Sequence, residues 1–219
     1  NAKLMKKLNV SYDSQIDNIV ETVVLVAINK EFAGYVTIAD EVKEDSQKAI
    51  KEMHLLGVKQ TVMLSGDKDS IVQKTAKDIG LDKAYGNLLP EDKVKHIEAL
   101  KADPANIIAF VGDGINDAPA LALSDVGIAM GGMGSDAAIE VADVVIQTDQ
   151  PSKIGTAIRI AKATKAIVIQ NITMALFVKA VVMILGAFGI ASMWMAVFAD
   201  VGVALLAILN AVRILKKKF

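Results

Sequence analysis

Two carboxylates stand four positions apart on a glycine-containing loop: Asp113 and Asp117, in the sequence VGDGINDAPAL. The apolar run Ile107–Val111 precedes them and predicts a buried strand, while Ala118–Leu123 follows and predicts a short helix. The pair therefore lies at the carboxyl end of a predicted strand, where open α/β sheets bind their ligands. Carboxylate oxygens, together with the amide of Asn116, suit Mg²⁺, which takes one or two carboxylates and shares its remaining shell with water and phosphate. Spacing alone equally fits an ordinary turn.

Two further side chains would complete a site for phosphoryl transfer: Ser65 offers a hydroxyl and Lys93 an ammonium group. Phosphoryl transfer relies on positioning and on neutralising negative charge, so a hydroxyl, an ammonium group and a metal held at Asp113 are suitable tools. Taken singly, Ser65 is typical of a turn, Lys93 of a solvated helix, and Asp67 to Ser70 of a helix cap. Their order along the chain is what favours a site.

The whole pattern resembles that of the P-type ATPases, ion pumps whose phosphorylation domain belongs to the haloacid dehalogenase superfamily. GDGINDAPAL is similar to the hinge signature of these pumps. The segment MLSGD, which contains Ser65, resembles their TGD segment, and serine in place of threonine retains the hydroxyl that binds the phosphoryl group. The segment LPEDK, which ends at Lys93, resembles the PxxK segment that supplies a phosphate-facing lysine. Asp40–Lys43, reading DEVK, resembles the segment near the joint between the nucleotide and phosphorylation domains.

The resemblance implies a role for each matched residue, with ATP as the substrate. The residues expected to act on the phosphoryl group are Ser65, Gly66, Asp67, Lys93 and Asn116. Those expected to face the nucleotide are Asp40 and Lys43. Those expected to hold Mg²⁺ are Asp113 and Asp117.

One motif of the family is absent from the 219 residues. P-type ATPases form an aspartyl phosphate on an aspartate in a DKTGT segment, and the nearest imitation, Asp67–Ser70, belongs to another motif. The opening residues Asn1–Met5 resemble the closing portion of the nucleotide domain. We therefore expect the carboxyl-terminal portion of a pump, cut at its amino end and inactive by itself. Its expected parts are the tail of the nucleotide domain at 1–22, part of the phosphorylation domain at 23–150, and a linking helix with two transmembrane helices at 151–219.

Composition agrees with a membrane protein: 53% of the residues are hydrophobic and the mean hydropathy is +0.42. There are no cysteines, which excludes disulfides and thiolate metal sites within these residues. The formal net charge of −1 gives no argument for a nucleic-acid partner. No secretory signal is expected, because Lys3, Lys6 and Lys7 are followed by polar sequence.

Alternating strands and helices before residue 150 predict a Rossmann-like parallel sheet of the haloacid dehalogenase type. The fold expected for the whole chain is this α/β domain followed by a transmembrane α-helical hairpin. Besides the strand and helix around Asp113, the predicted strands are Val23–Ile28, Tyr35–Ala39, Val62–Leu64, Val126–Met130 and Val144–Ile146. The predicted helices are Glu44–Leu56, one that Asp69 caps and Gly80 ends, and Glu91–Lys101 after Pro90. Gly131–Asp136 is interpreted as a structural turn because no lysine follows it.

From Ile167 onward the chain reads as membrane sequence. Ile167–Phe188 and Met193–Leu215 each have about the 20 residues that cross a hydrocarbon core. Basic residues precede the first span and follow the second, so the positive-inside rule places both ends in the cytoplasm. The expected location is the bacterial plasma membrane, with the lipid bilayer and the upstream part of the same pump as partners and with a cytoplasmic soluble domain.

Two charged residues interrupt these spans, Lys179 and Asp200. At 1.5 Å per residue both lie about 15 Å deep, so we expect them to pair or to face a polar cavity. A structural salt bridge is one interpretation. The other follows from resemblance: with Gln170, Asn171 and Gly202, they are similar to the last two helices of zinc, cadmium and lead exporters, where the aspartate binds the transported metal and the lysine is its counter-ion. Copper pumps resemble the soluble half only.

Three hypotheses therefore remain open on the sequence. The first is an ATP-driven exporter of Zn²⁺, Cd²⁺ or Pb²⁺, of which this chain is a portion. The second is a haloacid dehalogenase-type phosphatase anchored by a membrane hairpin, which needs a nucleophilic aspartate of its own. The third is a non-catalytic regulatory or truncated product that binds a membrane partner.

Overall fold

A computed structural model describes residues 2–19, 21–38, 41–112, 115–131 and 136–219. The chain divides into two compact units, Asn1–Lys153 and Ile154–Phe219. The predictions for Asp40 and Asp113, and for most of the turn Gly131–Asp136, fall outside the described residues.

Strands and helices alternate along the first unit. In chain order they are α1 (Ala2–Lys7), β1 (Thr22–Ile28), β2 (Glu31–Ile38), α2 (Ser46–Leu55), β3 (Val62–Leu64), α3 (Asp69–Ile79), β4 (Lys83–Tyr85), α4 (Pro90–Lys101), β5 (Ala109–Gly112), α5 (Ala118–Leu123), β6 (Val126–Met130), α6 (Asp136–Val141) and β7 (Val144–Ile146). The helix α7 (Ser152–Ala187) begins in this unit and continues into the second.

The predicted parallel pairing is confirmed, and the strands form two parallel sheets. β3 pairs with β4, and β5 pairs with β6, which pairs with β7. β1 and β2 form a separate antiparallel hairpin. The sequence patterns did not predict α1, β4 or α6, each of which is six residues long or shorter.

The hairpin turn is tighter than predicted. Only Asn29 and Lys30 form it, with φ of 53° and 66°, which is the left-handed conformation of a two-residue hairpin turn. The expected loop through Gly34 is wrong because β2 already begins at Glu31. The register shifts between Val26 and Ala27, opposite Gly34, whose φ is 148°. Glycine in this strand therefore marks a β-bulge rather than a loop.

Three aspartates that directly precede a strand accept hydrogen bonds from amide groups near the start of the neighbouring parallel strand. Asp82, before β4, accepts hydrogen bonds from the Thr61 amide at 2.6 Å and hydroxyl at 2.8 Å. Asp125, before β6, accepts from the Ile108 amide at 2.8 Å. Asp143, before β7, accepts from the Gly127 amide at 2.8 Å. These carboxylates satisfy amide groups at the amino ends of the strands and help to set the register of both sheets.

Helix α3 covers the β3–β4 sheet through the buried side chains Val72 and Ala76, which pack against Ala84. Gly80 ends α3 in the left-handed conformation, as predicted. The prediction that Asp69 caps this helix is wrong, because Asp69 is its first residue. Its carboxylate instead accepts hydrogen bonds from the Gly86 amide at 3.0 Å and from Gln73 at 3.2 Å.

The second unit consists of two apolar helical segments, each long and apolar enough to cross a membrane. The first is α7, a continuous helix of 36 residues, which confirms the predicted long apolar helix and its extension before Ile167. The second contains α8 (Met193–Val197), a π-helical turn at Phe198–Gly202, and α9 (Val203–Val212). The π-helical turn was not predicted, since its one extra residue leaves no mark in an apolar sequence.

Candidate functional site

The centre of the candidate phosphoryl site is an ion pair between Lys93 and Asp117. Lys93 Nζ lies 2.8 Å from Asp117 Oδ1, and the two side chains are only 18% and 13% exposed. Lys93 lies in the first turn of α4, which Pro90 begins, as predicted. Asp117 lies between β5 and α5, where it is the residue before the first turn of α5. Two residues that the sequence separates by 24 positions are thus brought into direct contact.

Gly112, the last residue of β5, allows Asp117 to approach this closely. A Cβ atom added at Gly112 would lie 2.8 Å from Asp117 Cβ and 2.9 Å from Asp117 Oδ2. Real Cβ atoms do not approach other atoms this closely, so a side chain at position 112 would displace the carboxylate. The glycine that opens the predicted loop therefore has a specific role in placing Asp117.

Ser65 lies in the loop that follows β3 and is held there from three directions. Its amide donates to the carbonyl of Tyr85 at 3.0 Å, and its own carbonyl accepts from the Leu88 amide at 3.0 Å. Its hydroxyl donates to Asp67 Oδ2 at 2.8 Å. Because Leu88 lies two residues before Pro90, which begins α4, these bonds link the Ser65 loop to the helix that carries Lys93.

Gly66 and Asp67 complete the same loop. A Cβ atom at Gly66 would lie 3.3 Å from the carbonyl oxygen of Leu88, so glycine permits close packing of the two loops. The carboxylate of Asp67 accepts a hydrogen bond from the Ser65 hydroxyl, and its carbonyl oxygen accepts one from the Asn87 amide at 2.7 Å. The three residues predicted as one motif therefore form one hydrogen-bonded turn.

Lys43, predicted to face the nucleotide, forms an ion pair with Asp149. Close to it, Asp45 accepts a hydrogen bond from the Ser152 amide at 2.9 Å, and hydrogen bonds from Ser152 hold the pKa of Asp45 below its usual range. Lys43 and Asp67 also line a common cleft of about 370 Å³. The nucleotide role of Lys43 stays a prediction, since its ammonium group already has a carboxylate partner.

The donor atoms near Asp117 are chemically suited to Mg²⁺ in part. Asp117 and the exposed Asn116 provide hard oxygen atoms, which Mg²⁺ prefers. However, Asp117 Oδ1 already bonds to Lys93, so this carboxylate would share its charge between an ammonium group and a cation. Within the described residues, no three His, Asp or Glu side chains form a metal cluster. The predicted assignment of Mg²⁺ to Asp113 and Asp117 stays a prediction.

In the second unit, Lys179 and Asp200 meet as the sequence predicts. Lys179 Nζ lies 3.4 Å from Asp200 Oδ1, and the side chains are 54% and 76% exposed. Asp200 lies within the π-helical turn, in which the Val203 amide donates to the carbonyl of Phe198. Such turns occur frequently at functional sites.

A cluster of amide side chains lies closer to the charged ends of the two spans. The sequence analysis named Gln170 and Asn171 as part of the resemblance but did not predict their contact with Asn210. Asn210 Nδ2 donates to Asn171 Oδ1 at 2.8 Å, and Asn171 Nδ2 donates to the carbonyl of Ala207 at 3.1 Å. Gln170 and Arg213 also bond to Asn210. The available signal was the presence of amide residues in both apolar spans, Gln170 and Asn171 in the first and Asn210 in the second, at a similar distance from the charged ends.

Both histidines are half-buried and have contacts of their own. His54 Nδ1 lies 3.0 Å from the carbonyl of Val58, and its Nε2 lies 3.5 Å from Asp82 Oδ2. His96 stacks against Tyr85 with ring centroids 4.5 Å apart. Neither contact involves the candidate site residues.

Known proteins that resemble this chain are metal-transporting ATPases. A cadmium, zinc and cobalt-transporting ATPase of Bacillus subtilis (strain 168) is 53% identical over 220 residues, which cover 100% of this chain and 31% of that protein. A zinc-transporting ATPase of Synechocystis is 53% identical over 218 residues, which cover 99% of this chain and 30% of that protein. The chain thus spans about a third of the length of these relatives.

A solved structure resembles the chain over nearly its whole length. It is the crystal structure of a zinc-transporting PIB-type ATPase in the E2.Pi state, with a TM-score of 0.79 and 38% sequence identity. The match covers 98% of this chain and 33% of the other. The family model of the haloacid dehalogenase-like hydrolases matches residues 1–125. Since that match covers more than half of the 219 residues, the chain belongs to the haloacid dehalogenase-like hydrolases, the superfamily that its motifs predict.

Proposed function

We propose that this chain is a portion of an ATP-driven exporter of divalent heavy-metal cations, Zn²⁺, Cd²⁺ or Pb²⁺, which works through an aspartyl phosphate. The pump is an integral protein of the bacterial plasma membrane with its phosphoryl site in the cytoplasm. The single observation that carries the proposal is the Lys179–Asp200 contact of 3.4 Å between two membrane-length helices. A phosphatase that merely used these helices as an anchor would have no need of an ionisable pair there.

The soluble unit supports the chemical half of the proposal. Ser65 offers a hydroxyl for the phosphoryl group, and Lys93 offers a positive charge whose position Asp117 fixes at 2.8 Å. A Mg²⁺ ion held by Asp113, with Asn116 and Asp117 nearby, would neutralise phosphate charge. Lys43, which lines one cleft with Asp67, is the residue that we assign to the nucleotide side, together with Asp40. The acceptor aspartate must come from the upstream part of the pump, since DKTGT does not occur in these residues.

The membrane unit supports the transport half. Asp200 is the proposed ligand of the transported metal, and Lys179 neutralises its carboxylate after the metal has left. An unpaired charge at the centre of a bilayer costs about 2.5–3.5 kcal/mol on insertion scales, so an internal lysine makes release of the metal less unfavourable. The high exposure of both side chains within this chain leaves room for further ligands from the rest of the pump.

The test is metal-stimulated ATP hydrolysis and metal stoichiometry in the full-length pump. Asp200→Ala should remove the stimulation by Zn²⁺ and Cd²⁺ and reduce the bound metal. Lys179→Ala should keep metal binding but slow turnover, because the carboxylate is left unpaired after release. Thr173→Val, an exposed change on the same helix, is the matched control and should leave both readings unchanged.

Two outcomes would contradict the proposal. Normal stoichiometry and stimulation in Asp200→Ala would reduce the pair to a structural salt bridge. Phosphate-ester hydrolysis that is independent of metal and of Asp200 would favour the anchored phosphatase instead.

A further inference from the structure

We propose that Asn171 and Asn210 are positioning residues: their carboxamides form an interhelical clasp that sets the register between α7 and α9 and so keeps Lys179 within reach of Asp200. The clasp consists of the two bonds Asn210 Nδ2 to Asn171 Oδ1, 2.8 Å, and Asn171 Nδ2 to Ala207 O, 3.1 Å. Each bond joins one helix to the other.

The exposure pattern shows which sides of the helices face one another. On α7 the less exposed positions recur at intervals of three and four residues, at Ile167, Asn171, Met174, Ala175, Val178, Val182 and Leu185. On the second segment they are Ala199, Gly202, Val203, Ala207, Asn210 and Ile214. Half of the residues in this second set are glycine or alanine, which allow membrane helices to pack closely. These two sets of less exposed residues are called the ridges of the two helices below. Asn171 and Asn210 belong to them and therefore lie at the interface between the helices.

Lys179 and Asp200 lie next to the ridges rather than on them. Lys179 follows Val178 and is therefore about 100° around α7 from that residue. Asp200 follows Ala199 within the π-helical turn and is likewise one position beyond a less exposed residue. This explains why the pair is exposed although Ala199 is only 5% exposed. Because Lys179 and Asp200 do not interdigitate with the facing helix, their own packing does not fix the distance between their charged groups. The distance between them must be set by contacts on the ridges.

Apolar contacts alone determine the sliding register of two membrane helices poorly, because lipid tails are as apolar as the side chains that they replace. A hydrogen bond between two helices, by contrast, depends on direction and distance and so favours one register. If α7 slid past α9 by one residue, about 1.5 Å at right angles to the clasp bonds, the bonds would stretch from 2.8 and 3.1 Å to about 3.2 and 3.4 Å and bend, which weakens both. Lys179 lies eight residues from Asn171, or about 12 Å along a straight helix. A rigid helix moves as a whole, so a slide of α7 at Asn171 displaces Lys179 by the same amount.

The amide cluster is not itself suited to a cation. The guanidinium group of Arg213 donates to Asn210 Oδ1 at 2.8 Å, so the most central carbonyl oxygen of the cluster already faces a positive charge. A second cation at the same oxygen would be repelled. The geometry therefore favours a mechanical role over metal binding.

The first arm of the experiment uses this chain in lipid nanodiscs and does not depend on the proposed function. The chain has no cysteines, so spin labels can be attached specifically to Phe177→Cys and Val201→Cys, whose native side chains are 68% and 57% exposed. These sites lie beside Lys179 and Asp200. Electron paramagnetic resonance measurements of the distance between the two spin labels should give one narrow distribution in the parent chain. Asn171→Leu and Asn210→Leu, which keep the number and branching of the side-chain heavy atoms, should each broaden this distribution and shift its mean by about 1.5 Å or a multiple.

Three comparisons make this arm decisive. The Asn171→Leu/Asn210→Leu double variant should be no worse than Asn171→Leu alone, because Asn171→Leu already removes both clasp bonds whereas Asn210→Leu removes only one. Thr173→Val should leave the distribution narrow. If a leucine variant fails to insert, Asn210→Asp tests the same bond, since it removes the donor to Asn171 but keeps an acceptor for Arg213. An unchanged distribution in the single variants or in Asn210→Asp, or additive broadening in the double variant, would overturn the proposal.

The second arm rests on the proposed function and uses metal-stimulated ATP hydrolysis of the full-length pump. Asn171→Leu should raise the metal concentration for half-maximal stimulation and lower the maximal rate, and Asn171→Gln, which keeps a carboxamide, should recover part of both. A shifted label distance with unchanged metal stimulation would retain the clasp and count against Asp200 as the metal ligand. An unchanged distance with altered stimulation would count against the clasp.

Discussion

Lys93 Nζ and Asp117 Oδ1 lie 2.8 Å apart, and this ion pair joins helix α4 to the loop at the carboxyl end of β5. Both side chains are largely enclosed, so the contact is screened by water much less than a surface salt bridge would be. The carboxylate limits the directions in which the long lysine side chain can point.

Lys93→Ala and Asp117→Asn should therefore both slow phosphoenzyme formation in the full-length pump. Removal of one charged donor from a phosphoryl site typically costs about 100-fold in rate, and we expect a loss of that order for Lys93→Ala. Asp117→Asn should lose less, because the lysine remains but its position is no longer fixed. The measurement is incorporation of labelled phosphate from ATP.

Lys95→Ala is the matched control for these variants. Lys95 lies on the same helix, is 67% exposed and pairs with Asp92 at 3.0 Å on the surface. Exposed pairs contribute little, so phosphorylation should stay normal. Equal losses in Lys95→Ala and Lys93→Ala would show that α4 is merely sensitive to substitution.

The 219-residue chain by itself should form no acid-stable phosphoenzyme, because DKTGT and its acceptor aspartate are absent from it. The check is incubation of the purified chain with labelled ATP, Mg²⁺ and Zn²⁺, followed by acid precipitation. Incorporated label, or ATP hydrolysis stimulated by metal, would contradict this expectation.

Acidification should loosen the two parallel sheets through Asp82 and Asp125. Backbone hydrogen bonds from Thr61 and Ile108, respectively, hold the pKa of each carboxyl below its usual range. A group whose pKa is lowered by folding stabilises the fold above its unfolded pKa, about 3.9, and loses that contribution as the pH falls through the folded pKa. The stabilisation is therefore fully present at neutral pH and disappears in strong acid.

Asp82→Asn and Asp125→Asn should consequently be less stable than the parent at neutral pH, and the difference should shrink as the pH approaches about 2. Thermal unfolding and hydrogen exchange at the Thr61 and Ile108 amides measure this directly. Asp78→Asn, at an exposed position on α3, is the control. A difference from the parent that stays constant over the whole pH range would exclude the ionised carboxylates as its cause.

Gly202→Ala should disturb the π-helical turn that carries Asp200. A Cβ atom at position 202 would lie 2.6 Å from Phe198 Cδ2, so the ring would have to move. We expect reduced metal stimulation of the full-length pump, and partial recovery when Phe198→Ala makes space. Gly186→Ala, whose added Cβ would meet nothing closer than 3.8 Å, should behave normally. No recovery in the double variant would mean that glycine is needed for another reason.

The elements that position the site could be read from the sequence because each carries a local signal. Gly80 at the end of α3 and Pro90 at the start of α4 are positional signals of helix ends, and the structure uses both. The strands β6 and β7 have the predicted bounds, because apolar runs between polar turns leave little freedom.

Features that depend on distant partners were not predictable in the same way. β4 has only three residues and is a strand because β3 lies beside it. The carboxylate of Asp69 serves Gly86 instead of capping α3, and Lys43 binds Asp149, 106 positions away. Which carboxylate an ammonium group selects is decided by tertiary packing, so the sequence could propose Lys93 but not its partner.

The wide turn at Phe198–Gly202 also changes how the second span must be drawn. A helical wheel assumes 100° for every residue, whereas this turn closes with a bond from the Val203 amide to the Phe198 carbonyl, five positions back. A wheel continued through it therefore rotates Met193–Val197 away from their true direction relative to Val203–Val212. If such a diagram were used to choose positions for lipid-facing or interior probes, the choice would be correct on one side of Asp200. On the other side of Asp200 the chosen side chains would point in a different direction from the one drawn.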